Sequence, residues 1–237
     1  MFWAFAEIAQ SVPAWRIVAR YAVAAALSFY LLKQVRKPSR WVGRPFLWMM
    51  NLSHSPLTNW GLKHVKVEPG FHILDVGCGG GRTIEKLAAL APQGKIYGVD
   101  YAKGSVAASR ARNRKLIESG RVAVEEGSVS SLPFPDNSFD LVTAIETQYY
   151  WPDLLHDMRE ILRVLKPDGT LVVIAESYKH GSTAALQRPV MKLLGSANLG
   201  VEEERELFSQ AGYNNVEIVE ERGKGWICCV GKKPSNG

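Results

Sequence analysis

The sequence predicts an α/β protein, a doubly wound and mostly parallel sheet of seven strands preceded by a helical arm. Three observations carry this. An apolar run from Phe71 to Val76 stops at glycines and opens into a segment with Ile84, Leu87, Ala88 and Ala91 at helical spacing. Beyond it, strand-length apolar runs alternate with amphipathic helical stretches, the pattern of parallel strands joined by crossover helices. Residues 1–70 hold all of the basicity, +7 against −1 for the remainder of a chain whose net charge is +6.

The first strand has no polar alternation, as expected of a strand covered on both faces. A second is expected over Lys95 to Val99, then a helix from Gly104 to Glu118 and a third strand from Arg121 to Glu125. A fourth strand (Phe139 to Ala144), a helix (Leu154 to Leu165) and a fifth strand (Thr170 to Ala175) follow. Regularity then lapses until Glu202-Glu203-Glu204, where acids crowd the first turn of a helix and complement its positive end. The interval Ser182 to Gly200, with Pro189 and glycines, reads as a flap over a pocket. Gly212 ends that helix, and two closing strands lie near Val216 to Glu220 and Gly225 to Val230. Two regions result, a basic, Trp-rich arm over residues 1–50 and a catalytic domain over 51–237.

Chemistry concentrates where the first two strands end. Gly77, Gly79 and Gly81 permit backbone angles that a β-carbon forbids, and they let a ligand approach the main chain. Asp100 closes the second strand at the carboxyl edge of the sheet, where open α/β sheets bind ligands, and its carboxylate suits the two hydroxyls of a ribose. Asp75 is a charge inside an apolar strand and needs a partner: the loop amides, or a ligand ammonium. A nucleoside site follows. The dinucleotide fingerprint laid on Gly77 and Gly79 requires a third glycine where the chain has Arg82, which favours S-adenosylmethionine over a nicotinamide dinucleotide. A glycine turn that merely packs a helix on a strand is the plainer alternative.

In Ile73-Leu74-Asp75-Val76-Gly77-Cys78-Gly79-Gly80-Gly81, the acid Asp100, the stretch Ser131 to Val142 and the turn Leu165-Lys166-Pro167-Asp168-Gly169, the chain resembles the class I S-adenosylmethionine-dependent methyltransferases. The likeness is to the small-molecule branch that includes the ubiquinone/menaquinone and sterol enzymes, and it spans roughly Asn51 to Lys233. It implies S-adenosyl-L-methionine as cofactor, held by Asp75, Gly77, Cys78, Gly79, Asp100, Tyr101, Ser128 and Val129. Ser128 departs from the acid usual in that family, leaving its hydroxyl or the Val129 amide to read the adenine edge.

Methyl transfer from a sulfonium needs in-line approach and, for an O–H or C–H acceptor, removal of a proton. Candidate groups follow the fourth and fifth strands. Glu146 is the first choice for a base, Glu176 the second, with Tyr149 beside them; either acid could instead only bond backbone amides. Tyr150, Trp151 and Tyr178 are candidates for an aromatic acceptor wall, and His54 for a lid contact. The expected partner is a small, apolar acceptor. A nicotinamide-dependent oxidoreductase and a catalytically silent cofactor-binding module are the rival functions.

Nucleic acid is not expected, because the sheet domain is nearly neutral. Five of the seven tryptophans lie in residues 1–70, and the apolar stretch Ile17 to Leu32 precedes Lys33, Arg36, Lys37, Arg40 and Arg44. Sixteen helical residues reach about 24 Å, short of a bilayer's roughly 30 Å hydrocarbon core. The arm reads as a helix on a membrane surface or as a cap on the cleft, which points to a cytoplasmic location, peripheral at the inner face of a membrane in the first case. Cys78, Cys228 and Cys229 form no disulfide framework, and no metal-ligand spacing emerges, so no metal site is expected.

Overall fold

Strand β1 (His72–Val76) pairs in parallel with β2 (Lys95–Asp100) on one side and with β4 (Phe139–Ile145) on the other, so that beyond the exposed His72 the strand is buried throughout. That is the physical reason for its unbroken apolar run. The computed structural model describes residues 55–176, 197 and 199–235. The arm over 1–50, His54, Tyr178 and nearly all of the interval expected to form a flap lie outside the described residues.

The seven strands are ordered β3-β2-β1-β4-β5-β7-β6, with β3 (Val122–Glu126) and β5 (Leu165–Ala175) parallel to their inner neighbours. Strand β7 (Trp226–Lys232) is antiparallel to both β5 and β6 (Asn214–Glu221). The chain moves outward from β1 to β3 and then returns to β4. The direction of winding therefore reverses between β1 and β4, and a crevice forms at the carboxyl ends of such a pair.

Strand residues alternate between two cores. Leu74, Val142, Val173 and Ala175 face Met158 and Ile161 of helix α5 (Leu154–Val164) and Phe208 of α6 (Val201–Ala211). Ile73, Leu141, Val172 and Ile174 face Leu57 of α1 (Ser55–Gly61), Ile84 and Leu87 of α2 (Arg82–Leu90) and Val106 of α3 (Lys103–Arg112). The expected doubly wound layering is what forms.

Two elements differ from expectation. The helix expected from Gly104 to Glu118 is interrupted at Asn113, after which α4 (Arg114–Glu118) begins. Asn113 Nδ2 donates to the carbonyls of Gly81 and Ser109, at 2.9 and 3.0 Å, and this competition for backbone acceptors ends the first helix. Strand β5 starts at Leu165 rather than Thr170, and its pairing with β4 shifts register between Phe139 and Leu141. The turn residues belong to the sheet because the chain beyond β7 continues the ladder: Asp168 N donates to the Lys233 carbonyl at 3.1 Å, and Lys233 N to that of Gly169 at 2.9 Å.

Candidate active site

The glycine turn after β1 is folded tightly on its neighbours. Gly77, Gly79 and Gly81 have φ of 71°, 51° and 76°, so each uses the left-handed region that disfavours a side chain. Their surroundings differ. A β-carbon on Gly77 would collide with the side chain of Thr147, and one on Gly81 with Ser109 and Asn113 of the neighbouring helix. On Gly79 it would meet nothing nearer than the Gly77 carbonyl oxygen at 4.0 Å. Of the three, Gly79 alone has open space where a β-carbon would stand; at the other two, protein fills it.

Four amides of the turn are bonded within the protein. Val99 O accepts from Gly77 N at 2.7 Å and Cys78 N at 3.1 Å, Gly81 N donates to Cys78 O at 2.9 Å, and Gly79 N donates to Asp100 Oδ2 at 2.9 Å. With these donors spent inside the protein, the turn is a poor cradle for a pyrophosphate. It remains suited to a ligand that brings its own donors or positive charge. The Cys78 side chain points into the protein. Its thiol is buried, 3.9 Å from Ser109 Oγ, and burial pushes its pKa well above the usual range. A β-carbon on Gly98 would lie 3.0 Å from Cys78 Sγ and would strike Ile84, so Gly98 is the residue that lets this turn and α2 approach β2.

Asp100 ends β2 with 7% exposure, and its Oδ1 accepts from Ala102 N at 2.8 Å while Oδ2 holds Gly79. With the Ala102 and Gly79 amides and Ser105 bonding it, the carboxylate keeps room for one further donor such as a ribose hydroxyl. Burial raises its pKa, opposed by those amides and by Ser105. Asp75 does not bond the loop amides as one of its two expectations had it. It accepts from Thr143 Oγ1 on β4 at 2.6 Å, and burial, aided by the charge of Asp100 and opposed by Thr143, lifts its pKa to about 7. Asp100 bonds the Gly79 amide and its charge reaches buried Asp75, so negative charge here favours a sulfonium or an ammonium and disfavours phosphate. The residues present therefore fit S-adenosylmethionine, and the nicotinamide alternative loses both its loop amides and its electrostatics.

Gly127 N donates to Asp100 O at 3.2 Å, extending the β2–β3 pairing and bringing Ser128 to the same edge. Ser128 is exposed, and its Oγ accepts from Ser130 N at 3.2 Å; Val129 is buried. Tyr101, 44% exposed, follows Asp100 at the rim.

Across the crevice, β4 and β5 deliver the second group. Glu146 follows β4 with φ 57°, a conformation rare for a residue with a β-carbon, and its amide prolongs the sheet by donating to Ile174 O at 2.9 Å. Its Oε1 accepts from Tyr149 Oη at 2.8 Å and from Glu176 N at 2.6 Å, and Glu176 N also donates to Tyr149 Oη at 3.1 Å. Burial, and next the charge of Glu176, raise the Glu146 pKa to about 7 against those two hydrogen bonds. The structure thus brings Glu146, Tyr149 and Glu176 together. Tyr150 stacks edge-on against Tyr149, with ring centroids 5.9 Å apart, and is half-buried. Trp151, at 8% exposure, packs in the same core as Tyr149.

Sequence reasoning missed Thr143 and Thr147, the side chains that shape the donor crevice, and also Gln148 and Glu204, whose side chains meet at 3.2 Å in the interior. Glu204 stands in a run of acids that resembles a solvated helix start. Nothing local marks it as the buried one.

The sequence profile of a family described as a methyltransferase domain matches residues 74–173. A demethylmenaquinone methyltransferase of Symbiobacterium thermophilum is 38% identical over 110 residues, 46% of this chain and 44% of that protein, so the chain matches less than half of that relative's length. Its counterpart in Anoxybacillus flavithermus is 30% identical over 182 residues, covering 66% of this chain and 76% of that one. The fold is shared with an S-adenosylmethionine-dependent methyltransferase of Aquifex aeolicus, at a TM-score of 0.67 and 22% identity over 80% of this chain and 97% of the other. Motif order, acids suited to a cationic nucleoside and a relative 30% identical and matched over 76% of its length converge: this chain belongs to the class I S-adenosylmethionine-dependent methyltransferases.

Proposed function

We propose that the protein methylates a small, flat, apolar acceptor with an acidic hydroxyl, of the naphthoquinol kind that the name demethylmenaquinone denotes in its relatives. The observation that carries this is the Glu146–Tyr149–Glu176 cluster, a carboxyl with pKa about 7 following β4, next in the sheet to the strand that leads into Gly77. Bound S-adenosylmethionine supplies an electrophilic methyl on a sulfonium. The Glu146 carboxylate would accept the proton that the quinol gives up when its ring is methylated, the donor leaving as a neutral thioether. Tyr149 and the Glu176 amide fix Oε1 so that the base needs no reorientation during reaction. Asp100 and Asp75 orient the donor. The arm is assigned to the surface of an anionic membrane, where a greasy acceptor resides.

Labelled donor incubated with a demethylmenaquinol bearing a short prenyl chain, with simple phenols and with amines tests the reading. Transfer to the quinol is expected. Transfer to amines alone would replace it.

A further inference from the structure

Thr147 follows Glu146 and has no part in the chemistry above. Its side chain leans on the glycine turn, since a β-carbon built on Gly77 would overlap both the Thr147 hydroxyl and its Cβ. Thr143, one of the two hydroxyls that β4 brings to this region, donates to Asp75 Oδ1 at 2.6 Å. The Thr147 hydroxyl differs. Its residue is half-buried, its oxygen is not sealed from solvent, and among the described residues it makes no hydrogen bond, although the Thr147 carbonyl accepts from Tyr150 N at 3.0 Å.

The sheet fixes where this oxygen stands. At the carboxyl edge β2 ends at Asp100, β1 runs into Gly77, and β4 runs into Glu146 and Thr147, in the spatial order β2-β1-β4. A donor whose ribose is held at Asp100, and whose methyl must reach an acceptor that gives its proton to Glu146, spans that order from one end to the other. Its sulfonium therefore lies at the junction of β1 and β4, where Thr147 Oγ1 rests against Gly77. Carbon–hydrogen groups on a positively charged sulfur are polarised, and an oxygen lone pair aimed at them is attracted. A neutral hydroxyl supplies lone pairs without being a strong nucleophile, so it can steer the methyl without capturing it.

We propose that Thr147 is a donor-contacting residue whose hydroxyl oxygen faces the sulfonium and its methyl group. The assignment rests on Glu146 being the base, and it makes Thr147 a residue that tells the charged donor from the neutral thioether left after transfer. The attraction vanishes with the charge on sulfur, which favours exchange of product for fresh donor.

S-adenosylmethionine and S-adenosylhomocysteine share adenosine, ammonium and carboxylate and differ in the methyl and charge on sulfur, so the ratio of their affinities isolates this contact. The full chain is titrated calorimetrically with each, without acceptor. Thr147→Val should weaken S-adenosylmethionine about fivefold and leave S-adenosylhomocysteine unchanged, and Thr147→Ser should restore the wild-type ratio. Should the valine variant not fold, Thr147→Ala carries the same expectation. An unaltered ratio overturns the proposal: both affinities falling together would place the hydroxyl at the amino-acid end of the donor, and a lower Tm alone would make Thr147 a side chain that only packs on Gly77. A serine variant that behaves like the valine one overturns it too, because the methyl group of threonine would then be what matters. Turnover of Glu146→Gln is scored separately, so that failure of the base is distinguishable from failure of the Thr147 contact.

Discussion

At Asp100 one carboxylate serves two purposes, holding the Gly79 and Ala102 amides and keeping room for one further donor. Asp100→Ala removes both, and S-adenosylhomocysteine affinity by calorimetry should fall at least tenfold, about 1.4 kcal/mol or more. Glu146→Gln should leave that affinity unchanged while lowering kcat by about 100-fold, the usual worth of a general base. Its raised pKa also fixes the sign of the pH profile. The carboxylate form is the active one, so in wild type kcat should drop as pH falls through about 7, and the glutamine variant should lack that limb. A residual rate that keeps the same acidic limb would assign it to another group. Glu146 was legible from its place after a strand; the pairing with Glu176 N was not, because it depends on β4 and β5 ending side by side.

The α2 and α3 helices pack closely on β2 and the glycine turn at Gly98 and Gly81, where a β-carbon would not fit. Gly98→Ala would press a methyl into Ile84 and Cys78, and overpacking of this kind costs about 1–3 kcal/mol. Denaturant unfolding should show it, with partial recovery when Ile84→Val is added. Asn113→Ala removes the bonds to Gly81 and Ser109 carbonyls and should destabilise by about 1–3 kcal/mol while letting α3 run on into α4. Helix starts and strand cores were readable here from apolar spacing. The break at Asn113 was not, since its cause is an acceptor thirty-two positions away in sequence.

For the molecule as a whole, Asp75, Glu146 and Glu204 are carboxyls whose pKa values stand near 7, above their ordinary range. The folded state therefore binds more protons than the unfolded chain between about pH 4 and 7, and stability declines as pH rises through that window. Glu160, whose pKa is lowered chiefly by its bond to Arg163, acts oppositely, but its contribution is lost only below the ordinary glutamate range. Tm should be higher at pH 6 than at pH 8, and Asp75→Asn should flatten the difference; an unchanged slope would mean that these groups are solvated. Membrane contact is tested at the same scale. Deleting Met1 to Arg40 should abolish sedimentation with anionic liposomes.

The linear chain was enough to establish the alternation of strands and helices, the glycine turn and the acid after β2, because burial on both faces and the angles of a tight turn impose themselves on neighbouring residues. Which amides are already spent, why Gly77 must be bare beside Thr147, and which of five clustered residues in Glu202 to Glu206 is the enclosed one depend on partners remote in sequence. Those contacts exist only once the sheet has brought β1, β4 and α6 together, and with them comes the desolvation that turns ordinary carboxyls into groups able to hold a proton near neutrality.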